Sequence, residues 1–165
     1  MAIFQISVES VLSHSIDTGV RNGATGPRRA DIDPADFIGH LPGIILIDIE
    51  GENEQGQGIV RYRVVGTREV ANRQNDPTGQ CVEEGFFAKS IETALHAYES
   101  VRAHRDAIFE PLSFVTPEGV RIDEESILLP LSENGTDVSQ ILVYSENRDA
   151  KKPPPLRPAA SDFRI

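Results

Sequence analysis

Apolar residues recur along this chain in two periods, and the switches between them lay out the elements. Phe4, Val8, Val11, Leu12, Ile16 and Val20 fall every three or four residues, which predicts a helix over residues 3–20. Gly23, Gly26 and Pro27 crowd the next ten residues and read as a loop. Asp33 stands where a cap accepts free N–H groups, Pro34 sits at the first helical position, and Asp36 falls in the first turn, where the helix dipole favours it. That short helix ends by Leu41, because Pro42 disfavours helical geometry in the residue before it. Asp31 and Asp33 look like the start of a calcium loop. The glycine and the distant bidentate Glu that such a loop needs are missing, so no metal site is expected.

The period then drops to two. Ile45, Ile47 and Ile49 point one way and Ile44 and Leu46 the other, so this strand is apolar on both faces and should be central and covered on both sides. After a polar loop, Ile59 to Gly66 alternates with Val60, Tyr62 and Val64 on one side and Ile59, Arg61, Arg63 and Val65 on the other. The mixed arginine side suits an edge strand. Gly56-Gln57-Gly58 hints at a dinucleotide fingerprint, but these glycines precede a strand, whereas a phosphate cradle follows one. Thr67 is placed to cap a helical turn from Arg68 to Arg73, and Asn75 to Gly79 forms a turn. A longer helix is predicted over Phe86 to Ala103. Phe87, Leu95, Tyr98 and the Arg102 stem fall within about 40° of Ile91 on its wheel.

Three strands should close the chain. Ile108 to Val115 contains Pro111, which marks an edge strand or a bulge. Val120 to Leu131 starts charged and ends apolar, and Asn134-Gly135 is a strong turn signal. Val138 to Ser145 alternates Ile141 and Val143 against Leu142 and Tyr144. The residues from 147 onward are rich in Pro and Lys and read as a disordered tail.

Composition narrows what such a domain does. A net charge of −10 over 165 residues argues against nucleic acid and anionic membrane as partners. The longest aliphatic run, Ile44 to Ile47, is far too short to cross a bilayer. The first residues, Met1-Ala2-Ile3-Phe4-Gln5, lack the regions of a signal peptide, so a cytoplasmic location is expected. A single cysteine, Cys81, excludes an internal disulfide and a CxxC motif. There is no G-x-S-x-G, HExxH or P-loop, and no enzymatic activity is expected.

Two strands, a helical insertion and three antiparallel strands make an α+β domain with helices on one sheet face. At the motif level, Arg29-Ala30-Asp31-Ile32-Asp33-Pro34, Leu41-Pro42, Tyr62-Arg63-Val64-Val65-Gly66-Thr67, Asp76-Pro77-Thr78-Gly79 and Leu128-Leu129-Pro130-Leu131-Ser132 occur in order. In order and spacing they resemble a family of small stand-alone bacterial PAS-type proteins. Two positions depart from that pattern: the N-terminal helix has no tryptophan, and Gln74 stands where the family commonly has glycine. The resemblance implies a PAS-like five-stranded antiparallel sheet over residues 25–146. Residues 1–24 would be an N-terminal helix and loop, and 147–165 the tail.

The resemblance also implies a sensory or regulatory module with a pocket between sheet and helices, lined by Tyr62, Val64, Phe87, Ile91 and Leu95. Plain core is the more ordinary reading of the same residues. Arg63, or Arg61, could pair with a carboxylate ligand; bridging to Asp31, Asp33 or Asp48 is the plainer role. No cofactor is expected, and an unknown small metabolite stays open. His96 and His104 lie about 140° to either side of Ile91 on the wheel, which argues against haem. Cys81 is followed by Val82-Glu83-Glu84-Gly85 rather than the photosensory Asn-Cys-Arg-Phe-Leu-Gln context, which argues against flavin.

Three functions stay open: a sensor that binds a ligand and signals to another protein, an interaction module with a filled core, and a small-molecule carrier or enzyme. The second apolar sheet face (Ile44, Leu46, Leu129, Leu142) needs cover, and the N-terminal helix or a second copy's helix would supply it in a homodimer.

Overall fold

The computed structural model describes residues 28–87 and 90–148. The expected helix over 3–20 and most of the tail lie outside these residues. Five strands, β1 (Ile44–Glu52), β2 (Gly58–Val65), β3 (Ile108–Val115), β4 (Arg121–Leu131) and β5 (Gln140–Asn147), pair throughout as antiparallel neighbours in the order β2-β1-β5-β4-β3. Between β2 and β3 run three helices: α1 (Thr67–Arg73), α2 (Val82–Gly85) and α3 (Ile91–His104).

Alternation sends each strand's side chains to two separate cores. Ile45, Ile47, Val60, Tyr62, Leu128, Ile141 and Val143 meet Val82, Ala97 and Val101 on the helical side. Ile44, Leu46, Ile127, Leu129, Leu131, Leu142 and Tyr144 form the second cluster, with Ile32 buried among them. β1 and β5 are apolar on both faces because both faces are covered. β2 and β3 are the edges, and Pro111 on β3 costs no ladder bond that a central strand would need.

Three local readings are corrected. Thr67 is not the cap of α1 but its first residue; Gly66 is the N-cap, in extended geometry. A side chain at Gly66 would overlap the carbonyl oxygens of Leu41 and Pro42, so the glycine is there for close approach. The long helix starts at Ile91, not Phe86. Ser90 Oγ accepts the Thr93 N–H at 3.2 Å and caps it, which leaves Phe86 extended.

The third correction is a β-bulge. Leu46 faces Val64 and Ile47 faces Tyr62, so Arg63 is an extra residue on β2. Alternation flips across it. Tyr62 and Val65 both turn to the helical side, and Val64 turns away and is 48% exposed.

Asp33 caps the turn at Pro34–Phe37 as expected, accepting from Ala35 N–H at 2.9 Å. The residue after α1, Gln74, has φ +54°. That left-handed geometry explains why glycine suits this position. Gln74→Gly should therefore raise stability by about 0.5–1 kcal/mol, and Gly66→Ala should lower it by about 1–3 kcal/mol. Urea unfolding midpoints of the two variants would move in opposite directions.

Candidate functional site

Between the helical face of the sheet and the helices lies a cavity of about 250 Å³. Phe86, Phe87, Tyr98, Leu112, Phe114 and Leu128 supply apolar lining. Phe87 and Phe114 meet edge to face, 5.5 Å between centroids and 80° apart, and close one wall.

A polar patch lies among them, and the strand register builds it. Ser145 on β5 lies opposite Ser126 on β4, and Ser126 opposite Glu110 on β3. These three form a row across the sheet, one step along from the apolar row Val143, Leu128 and Ile108. All three line the cavity, as does Glu124, two residues before Ser126 and on the same face. The two serine hydroxyls share a hydrogen bond at 2.9 Å.

Helix α1 lowers charged groups onto this row. Glu69 is 2% exposed. Arg73 Nη1 donates to its carboxylate and to its backbone oxygen, both at 3.0 Å, and Arg68 Nη2 lies 3.5 Å from its other oxygen. The same Arg68 nitrogen donates to the backbone carbonyl of Ser145, which ties α1 to a central strand. Glu69 is therefore a buried charge held between two cations.

Glu124 is also 2% exposed, but among the described residues its carboxyl accepts only a 3.3 Å contact from Asn72 Nδ2, at Oε1. Burial first, and the charge of Glu69 second, push its carboxyl up to about 7, while Arg68 and Arg73 pull the other way. Burial likewise holds Glu110 above its ordinary range, opposed by His96. The Tyr98 and Tyr62 hydroxyls are raised by burial too, and Arg73 opposes both shifts.

Of the residues singled out in the sequence, Tyr62 and Phe87 line this cavity. Ile91 packs in the helical-side core without lining it. Leu95 lines instead a separate space of about 50 Å³ beside Arg102. Val64 is turned away by the bulge. Arg63 is mostly exposed and, among the described residues, reaches Asp48 at 3.9 Å. Arg61 binds Glu50 at 2.8 Å and the Gly79 carbonyl at 2.7 Å. Glu69, Arg73, Glu110, Glu124, Ser126 and Ser145 escaped notice because charge and hydroxyl read as surface. The signal was parity: counting back from apolar Leu128 places Ser126 and Glu124 on the same face.

Comparison with known proteins agrees with this architecture. A PAS domain family model matches residues 17–144. The chain belongs to the PAS domain family. That family is one of sensory modules. No curated protein matches this PAS domain. Among solved structures it resembles the PAS domain of an HTR-like protein from Haloarcula marismortui, at 20% identity over 63% of this chain and 81% of that one, TM-score 0.37. It also resembles the PAS domain of Bordetella pertussis BvgS, at 12% identity over 72% and 89%, TM-score 0.44. A light-oxygen-voltage domain from a flavin-analogue structure matches at 9% identity over 65% and 77%, TM-score 0.47. Among the described residues of this PAS domain, no helix is long and apolar enough to cross a membrane.

The raised Glu124 carboxyl makes stability depend on pH. Its folded pKa of about 7 exceeds the ordinary 4.5, so the native state binds the extra proton between those values. Stability from this group is full below about pH 4.5 and is lost as pH rises through 7. Glu124→Gln should flatten that part of the stability profile and raise stability at pH 8 by about 1–3 kcal/mol. Urea melts of the variant and the parent protein at pH 5 and pH 8 check it.

Proposed function

We propose that this PAS domain is a sensory module that takes up a small organic molecule between sheet and helices and reports its presence through contact with another protein. The observation that carries the reading is the cavity of about 250 Å³. It is larger than the roughly 150 Å³ that accepts a benzene ring. It is smaller than the roughly 300 Å³ at which drug-sized pockets begin. A metabolite of about ten heavy atoms suits it, and a space of this size favours a ligand over a module with a filled core.

The residues do not suit the larger PAS cofactors. Cys81 lies outside the cavity lining, paired with Arg61 in an isolated bridge, which counts against flavin chemistry of the cysteine-adduct kind. No histidine lines the cavity among the described residues. His96 and His104 are exposed, and His40 lies 3.1 Å from Tyr144 on the opposite sheet face, so an axial haem ligand is not at hand. The serine hydroxylic pair has no imidazole beside it, in keeping with binding rather than catalysis. The signal would leave through a protein partner, a second copy of the chain or another protein.

Native mass spectrometry of freshly purified protein should find a non-covalent small molecule, or a metabolite panel should give a saturable rise in melting temperature of several degrees. Ala94→Trp places an indole at a lining position on α3 and should abolish either effect while circular dichroism stays unchanged. A protein that takes up nothing by either method, with or without the substitution, would sink the reading.

A further inference from the structure

This inference rests on the ligand-binding reading and names the chemistry of the ligand. Four charged side chains line the cavity among the described residues: Glu69, Glu110, Glu124 and one cation, Arg73. They do not form two pairs. Arg73 Nη1 is committed to Glu69, and Arg68, the next cation, is divided between Glu69 and the Ser145 carbonyl. Arg68 Nε and Arg73 Nε have no partners, but both are sealed from contact even with a water-sized sphere. Neither can reach a ligand. Both arginines are thus engaged with Glu69, Arg73 with the Tyr62 hydroxyl as well, and Glu110 and Glu124 line the cavity with no arginine hydrogen-bonded to either among the described residues.

Glu124 is the more telling of these. It is almost wholly buried, it lines the cavity, and its Oε2 has no hydrogen-bond partner among the described residues. Oε2 is not one of the sealed, unpartnered atoms among the described residues, so it is open to the cavity, where a ligand's donor can meet it. Glu110 is one strand over: its cross-strand partner is Ser126, and Glu124 faces Leu112 on the same pair of strands. The groups facing Glu124 are Glu69 and Arg73 of α1, with Arg68 acting from outside the lining, Glu110 of β3, Ser126 beside it, Ser145 of β5, and the tyrosines Tyr62 and Tyr98. Phe86, Phe87 and Phe114 also line the cavity, and their ring faces favour a cation as well as an apolar body.

We propose that the ligand is a small amine with an apolar, ring-sized body, its ammonium group bound by Glu124 and Glu110 and its body seated among the phenylalanines. An organic acid held by Arg61 or Arg63 does not fit, since neither arginine lines the cavity. An ammonium donates three hydrogen bonds, enough for Glu124 Oε2, Glu110 and a serine hydroxyl. Its arrival also converts Glu124 to the charged form. Below pH 7 that requires release of a proton, and at higher pH the carboxylate is already prepared.

The test uses three matched probes on the full chain by titration calorimetry: 2-phenylethylamine, 2-phenylethanol and phenylacetate. At pH 8 the amine should bind at least about tenfold more tightly than either of the others. Its apparent affinity should fall about tenfold from pH 8 to pH 6, as the fraction of ionised Glu124 falls. At pH 6 the measured heat should vary with buffer ionisation enthalpy, reporting the released proton. Glu124→Gln should weaken the amine at least tenfold, leave 2-phenylethanol within about twofold, and abolish the buffer dependence. Glu110→Gln, at a half-buried site, serves as a second variant and should weaken the amine without changing the alcohol.

Equal binding of all three probes, or preference for phenylacetate, overturns the amine assignment and leaves the ligand-binding reading standing. Amine binding that ignores both substitutions overturns it as well. No binding of any probe overturns it while a metabolite retained in native mass spectrometry still supports the broader reading.

Discussion

The polar patch of this cavity depends on one buried carboxylate. Glu69 is buried against the two guanidinium groups that flank it, and those groups decide where α1 sits. Arg68 does this most directly, since it reaches past Glu69 to a backbone oxygen of β5. The helix is thereby anchored over the centre of the sheet rather than at its edge. Gly43 makes room for it: a side chain there would strike the Arg68 guanidinium and the Ser145 carbonyl. With α1 pinned at this height, the space between it, α3 and the strands stays open. A single charge cluster fixes the position of the roof, and the cavity is the gap that remains.

The same cluster has an electrostatic side. Burial raises the Glu124 carboxyl first, and the facing charge of Glu69, with both arginines drawn to Glu69, adds to it. Had either arginine been free, the cavity would read as a site for anions. The sign of the site therefore follows from pairing within α1 more than from the count of charges around the wall.

Much of the fold was legible because it is written in local periods. The two-faced strands β1 and β5 announced a sheet covered on both sides, Pro111 marked an edge, and Asp33 with Pro34 marked a turn. The candidate site was far less legible. Glu124 sits in a run of four charged residues in five, Arg121 to Glu125, which looks like a solvated strand end; only the depth to which α1 descends makes it interior. That depth is a tertiary fact with no local trace. Phe86 and Phe87 satisfied a helical wheel, yet Ser90 is a better cap than either is a first turn. Val64 was misplaced for a third reason. Strict alternation assumes one residue per ladder step, and nothing in Tyr-Arg-Val-Val signals that Arg63 is supernumerary.

That extra residue acts as a half-period phase shift in β2. Before it, even-numbered positions look inward; after it, odd-numbered ones do. Without the shift, Tyr62 and Gly66 would be locked to the same face by their even spacing, and the strand could not present an aromatic ring to the cavity and then tuck a bare backbone beneath the Leu41–Pro42 turn. The insertion decouples the two tasks. Upstream of Arg63 the strand turns Tyr62 to the cavity, and downstream it packs Val65 into the helical-side core and passes Gly66 beneath the turn.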